Sequence, residues 1–107
     1  MALMIYQKII ETNPEYIRAY IQKATLHMHI EDYLNSAKVF KQVLKLKPDY
    51  YRAYLAIGIC MEKLGNVASA KRFYKKYLKH NSSAEVVERI SGLSNVTKKK
   101  EISLRII

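Results

Sequence analysis

Three histidines and one cysteine are the side chains with the most to offer chemically, and their spacing argues against a reaction centre. His27 and His29 stand two apart, which on a helix turns the imidazoles to different sides, and no carboxylate or cysteine lies beside them at metal-ligand spacing. His80 falls at a helix end, as a partner for the negative pole of the helix or as a solvated side chain. Cys60 has no histidine at helical spacing to act as its base, so packing is its expected role. As the only cysteine it also excludes an internal disulfide and a cysteine-based metal site, and it fits a reducing compartment. Gly58, Gly65 and Gly92 are too far apart to form a phosphate-cradling loop. The expectation is a chain that is not an enzyme and carries neither metal nor cofactor.

What remains is surface chemistry. Nineteen Lys and Arg against nine Asp and Glu give a formal net charge of +10. Such a balance suits an anionic partner (nucleic acid, an acidic peptide or a membrane surface), or it simply solvates the outer faces of helices. Nine tyrosines add stacking platforms for bases. No apolar run approaches the roughly 20 residues of a membrane span. The opening MALMIYQKII lacks the cationic stretch and small-residue cleavage site of a signal peptide, so a cytoplasmic location is the default expectation.

These side chains need elements to hold them, and the elements repeat. Shifting the sequence by 34 residues lays Arg18, Ala19 and Tyr20 on Arg52, Ala53 and Tyr54, Ala24 on Gly58, Phe40 on Tyr74, and Pro14 on Pro48. A fixed period in this range is the mark of a repeat architecture. Few Gly and Pro beside 50% hydrophobic residues favour helices joined by short loops. Apolar positions three and four apart predict helices over about 2–12 (Leu3, Tyr6, Ile9, Ile10), 14–29 (Tyr16, Ile17, Tyr20, Ala24, Met28) and 33–46 (Tyr33, Ala37, Phe40, Val43, Leu44). The same spacing predicts helices over about 49–64 (Tyr50, Tyr54, Ile57, Gly58, Met61) and 67–80 (Ala70, Phe73, Tyr74, Tyr77, Leu78), then a short capping helix over 84–93 (Val86, Val87, Ile90). Residues 95–107 form a basic and hydrophobic tail that is disordered, extends a helix or docks on a partner chain.

Residues 17–50 and 51–84 resemble two tetratricopeptide repeats. The resemblance is carried by the aromatics Tyr20 and Tyr54, the small residues Ala24 and Gly58 four places on, Tyr33 and Val67 at the opening of the second helix, and Ser36 and Ala70 at its small position. Phe40 and Tyr74 stand at the next aromatic position, and Pro48 closes the unit. It implies an all-α, right-handed helical-hairpin solenoid of about two full repeats, preceded by a half repeat over 2–14 and ended by the capping helix, in one domain over 1–94. Departures are Lys23 and His27 where the family has leucine and tyrosine, Tyr77 for a small residue, and Ser82 for the closing proline; they loosen the groove-side packing of the first full repeat.

In this family the first helices line a concave groove. The resemblance places Arg18, Ile21, Gln22, Thr25, Met28 and His29 there from one repeat, and Arg52, Leu55, Ala56, Ile59, Glu62 and Lys63 from the next; each of these residues could instead pack within the solenoid or sit in water. It implies a non-catalytic protein-interaction module for a peptide or partner helix; an acidic one with hydrophobic anchors would suit the groove, its carboxylates paired by Arg18 and Arg52 and its apolar part taken by Ile21, Leu55 and Ile59. Relatives that clamp acidic chaperone tails use lysine, asparagine and arginine from three first helices, whereas this chain has two complete ones, with Gln22 and Ala56 at the inner polar positions. Nucleic acid ranks below a protein or peptide as the expected partner. A homodimer formed through the N-terminal half repeat or the tail is a third reading, and a fragment of a longer array a fourth.

Overall fold

The structure is a computed structural model that describes residues 2–93; the expected tail, 95–107, lies outside the described residues. Helices α1 (Ala2–Thr12), α2 (Ile17–His29), α3 (Tyr33–Leu46), α4 (Arg52–Lys63) and α5 (Val67–Leu78) follow one another, and α6 spans 84–93. Among the described residues there is no strand. From α1 to α5, each helix packs on the next, the nearest-neighbour order of a helical-hairpin solenoid. Small residues let the hairpins close: Ala24, Ala53 and Ala70 are fully buried beside Phe40, Ile57 and Tyr74. Val86 brings α6 into the same core, while Cys60 is fully buried within it.

Two helices begin later than the apolar spacing predicts, and proline is the reason. The Tyr16 amide donates to Asn13 and the Tyr50 amide to Lys47, at 3.0 and 3.1 Å. Pro14 and Pro48 thus occupy the second position of hydrogen-bonded turns, where their fixed φ belongs, and α2 and α4 start only at Ile17 and Arg52. Tyr16 accordingly faces solvent at 45% exposure instead of packing. At the other end α5 stops at Leu78, two residues early. Val87 is exposed as well, because it stands one residue beyond the inward-facing Val86. The stripe on α1 is only partly covered, and none of its residues is fully buried.

The hairpin turns are also related by the 34-residue shift. Glu31 and Gly65 take left-handed φ values of 62° and 82°, and the residues after them cap the next helices: Asp32 accepts from the Asn35 amide and Asn66 from the Ser69 amide. Ser83 serves α6 in the same way, accepting from Val86. Asp32 does more than cap. Its carboxylate accepts from the Asn35 side chain at 2.8 Å and lies 3.2 Å from Nδ1 of His27. The Asn35 bond first, and His27 with it, hold the Asp32 carboxyl below its ordinary 3.8. A depressed carboxylate means the folded chain binds fewer protons than the unfolded one, so this contribution is present above the ordinary value and is lost as pH falls through the folded-state value. Asp32→Ala is therefore expected to lower the melting temperature by a few degrees at neutral pH and by progressively less in acid, where thermal melts of the two proteins converge.

The polar departures in the first repeat are each met by a partner. His27 is 8% exposed and pairs with Asp32, and Lys23 donates to Gln7 on α1 at 2.6 Å. The looseness expected at these two positions is not seen. Ser36, fully buried, donates its hydroxyl to the Ala24 carbonyl at 2.8 Å and ties α3 to α2.

Candidate functional site

Two stripes meet across the gap between neighbouring first helices. Ile21, Thr25 and Met28 recur at four and three residues along α2, and Arg52, Leu55, Ala56 and Ile59 recur likewise along α4, so each set shares one flank of its helix. Together with Phe40 of α3 and Tyr50 of the turn before α4, they line an open cleft of about 330 Å³. Its floor is aromatic and aliphatic, and Arg52 is the one charged residue in its lining. Arg52 is exposed, and among the described residues it joins no ion pair. The Thr25 hydroxyl donates to the Ile21 carbonyl at 2.8 Å, so its proton is already engaged within α2.

Seven of the twelve residues expected at the groove, Ile21, Thr25, Met28, Arg52, Leu55, Ala56 and Ile59, come together here. Gln22 and His29 do not. They lie with Tyr6, Thr25 and Leu26 on a smaller cleft of about 260 Å³ on the α1 side of α2, since residues 22, 25, 26 and 29 form the next stripe round the helix. Arg18 and Lys63 are exposed and line neither cleft. Glu62 faces away from the groove: it accepts from the Tyr74 hydroxyl at 2.9 Å and pairs with Arg89 of α6 at 3.5 Å. Burial first, and then the Glu62 carboxylate, push the Tyr74 phenol well above its ordinary value, so it stays a donor. Phe40 and Tyr50 line the cleft although the apolar pattern marks them only for the core. A usable signal was the position of Tyr50, which follows Pro48 and so stands at the mouth of the turn.

The spacing of the histidines misleads in one respect. A carboxylate, Asp32, does reach His27, because the turn folds the chain back onto α2. The two make a pair and not a ligand set: among the described residues no group of three or more His, Cys, Asp or Glu side chains converges. His80 stacks on Tyr51, with ring centroids 3.8 Å apart. No helix among the described residues is long and apolar enough to cross a membrane.

The family model for the tetratricopeptide repeat matches residues 31–88, more than half of the chain. The chain belongs to the tetratricopeptide repeat family. Solved TPR structures agree in fold. The first TPR of Spaghetti (RPAP3), bound to the HSP90 peptide SRMEEVD, is 16% identical and superposes with a TM-score of 0.79 over 90% of this chain and 77% of that one. The N-terminal domain of STI-1 from C. elegans is 18% identical, with a TM-score of 0.75 over 83% and 76%. MamA is 25% identical, with a TM-score of 0.69 over 72% of this chain and 42% of its own. Among curated proteins none matches significantly. In TPR terms α2 and α4 are the first helices of two repeats, α3 and α5 the second, and the cleft lies between the two first helices.

Proposed function

We propose that this chain is a protein-interaction module, not a catalyst, that receives a short acidic peptide with apolar side chains in the cleft between α2 and α4. The supporting observation is the composition of that cleft: an apolar trough of about 330 Å³ with a single unpaired cation, Arg52, at its edge. Ile21, Leu55 and Ile59 take the apolar side chains, Ala56 leaves room for the backbone, and Arg52 pairs a carboxylate. The bound HSP90 peptide of the Spaghetti (RPAP3) structure combines these features, with Met and Val beside two Glu and one Asp. Gln22, on the neighbouring cleft, offers an amide to a longer ligand, whereas Arg18, His29 and Lys63 are left to attract acidic groups from the rim.

Two variants separate charge from shape in a calorimetric titration with SRMEEVD as probe. Arg52→Glu is expected to weaken binding by about tenfold or more, since charge-assisted hydrogen bonds contribute about 1.5 to 3 kcal/mol. Ala56→Trp fills the cleft and is expected to abolish binding with the charge intact. Circular dichroism should show both as helical as the parent. Equal affinity of all three proteins, or no binding by the parent at millimolar peptide, would reject this site.

A further inference from the structure

The second helices of the two repeats have a charge pattern that the cleft does not use. No Asp or Glu occurs over 33–48 or 67–84, yet these segments hold nine cations: Lys38, Lys41, Lys45 and Lys47 in the first, and Lys71, Arg72, Lys75, Lys76 and Lys79 in the second. Lys38, Lys41 and Lys45 recur at three and four residues and form one row along α3. The 34-residue shift reproduces that row as Arg72, Lys75 and Lys79 at α5, and all six residues are exposed. Cations from the two helices meet at one aromatic ring. Lys41 of α3 and Arg72 and Lys76 of α5 stand 5.9, 5.4 and 5.3 Å from the centre of one ring, that of Phe73. Contact with a ring face positions these cations without neutralising them. Among the described residues none of the nine joins an ion pair, although Glu15 shares a cleft with Lys45 and Lys47 at the end of the first row.

We infer that the outer face formed by α3 and α5 binds the phosphodiester backbone of a nucleic acid. A helix rises about 1.5 Å per residue, so cations along each row stand about 4.5 to 6 Å apart. Phosphates recur at about 3.4 Å of axis along each strand of a duplex, so a row of three such cations spans about three of them. The face lacks what other polyanion partners need. Its exposed large hydrophobics, Leu34 and Leu46, sit at the two ends of α3 and none lies within either row, so there is nothing to insert into a bilayer or to anchor a peptide. Phe73 is only 8% exposed and is not a platform for bases, which makes the recognition electrostatic and independent of sequence. Since the cleft lies between α2 and α4 and this face belongs to α3 and α5, the two sites work separately.

Fluorescence anisotropy on the full chain, with a labelled duplex and a labelled single strand of about 20 nucleotides, tests this over about 50 to 200 mM salt. Contact with about five phosphates predicts a slope of about −4.5 for log affinity against log salt on the duplex. The triple variant K38E/K41E/K45E is expected to bind at least about tenfold more weakly with a shallower slope, and Arg52→Glu to bind nucleic acid as the parent does. K41Q/K75Q/K76Q, which removes charge without reversing it, keeps the test open if the reversed triple fails to fold. Absence of binding at low salt, variants that bind like the parent, or binding to phosphatidylserine vesicles but to neither oligonucleotide would overturn the inference. None of these outcomes bears on SRMEEVD binding in the cleft.

Discussion

Gly58→Ala is expected to destabilise the chain by about 1 to 2 kcal/mol, although alanine is the better helix former. A methyl group built on Gly58 would stand 2.6 Å from both Cδ1 and Cε1 of Tyr74, well inside the roughly 3.5 to 4.0 Å at which carbon atoms attract. Gly58 and Tyr74 are both buried, so neither has open space to yield into. Overpacking costs about 1 to 3 kcal/mol, and contacts this short to ring atoms belong in the upper part of that range, about 2 to 3, against about 1 kcal/mol regained in helix propensity. At about 4 to 8 °C per kcal/mol for a domain of this size, the melting temperature should fall by roughly 5 to 15 °C. The first repeat shows how the strain is relieved. Positions 24, 28 and 40 hold Ala, Met and Phe where 58, 62 and 74 hold Gly, Glu and Tyr. Tyr74 is tethered through its hydroxyl to Glu62, while Phe40 has no such tether and can sit back from Ala24. The triple variant G58A/E62M/Y74F should therefore recover more than half of the lost stability in a urea melt. A single G58A variant as stable as the parent would show that the close approach does not govern this hairpin.

That pair also marks how far the sequence could be read. Repeats with apolar residues every three and four positions leave one economical solution, helices paired in hairpins. The small residues at 24, 58, 36 and 70 stand where backbones approach. Turn detail was harder to see because proline has two acceptable places. The first turn of a helix and the second position of a hydrogen-bonded turn both tolerate its fixed φ and missing amide hydrogen, and only the bonds from Tyr16 and Tyr50 back to Asn13 and Lys47 decide between them. Glu31 carries no mark of a left-handed residue. Its equivalent, Gly65, does, and shifting that conformation back by 34 would have revealed it.

The candidate site was legible to the level of the helix but not of its flank. Successive residues on a helix lie about 100° apart, so Ile21 and Gln22 belong to different clefts although they are neighbours in sequence. A shift by 34 does not resolve this, since each first helix has one flank toward the preceding repeat and one toward the next. Arg52 borders the cleft between α2 and α4, whereas its equivalent Arg18 lines neither that cleft nor the one beside α1. The residue least open to reading was Glu62. It falls on the groove stripe of α4, and only the position of α6 turns it toward Arg89.

That position makes Glu62 the second sensitive point. Glu62→Lys is expected to destabilise the chain by roughly 2 to 3 kcal/mol, whereas Glu62→Gln should cost about 1 kcal/mol or less. Lysine removes the acceptor for the Tyr74 hydroxyl and sets a second cation against Arg89, whose guanidinium lies 3.5 Å from the present carboxylate. Tyr74 is fully buried, and a buried hydroxyl without an acceptor costs about 1 to 3 kcal/mol by itself. Glutamine keeps an acceptor oxygen for Tyr74 and gives up only the charge, and a pair whose side chains are about a third exposed is screened by water. The two variants should also unfold differently. α6 is held by Val86 in the core, with Ile90 and Leu93 packed against it, and by Arg89 on Glu62, so Glu62→Lys should free its amides to exchange hydrogen ahead of those of α4, while Glu62→Gln should leave the order of exchange unchanged. Equal losses from the two variants would mean that the charge on Glu62, and not its bond to Tyr74, fastens the end of the solenoid.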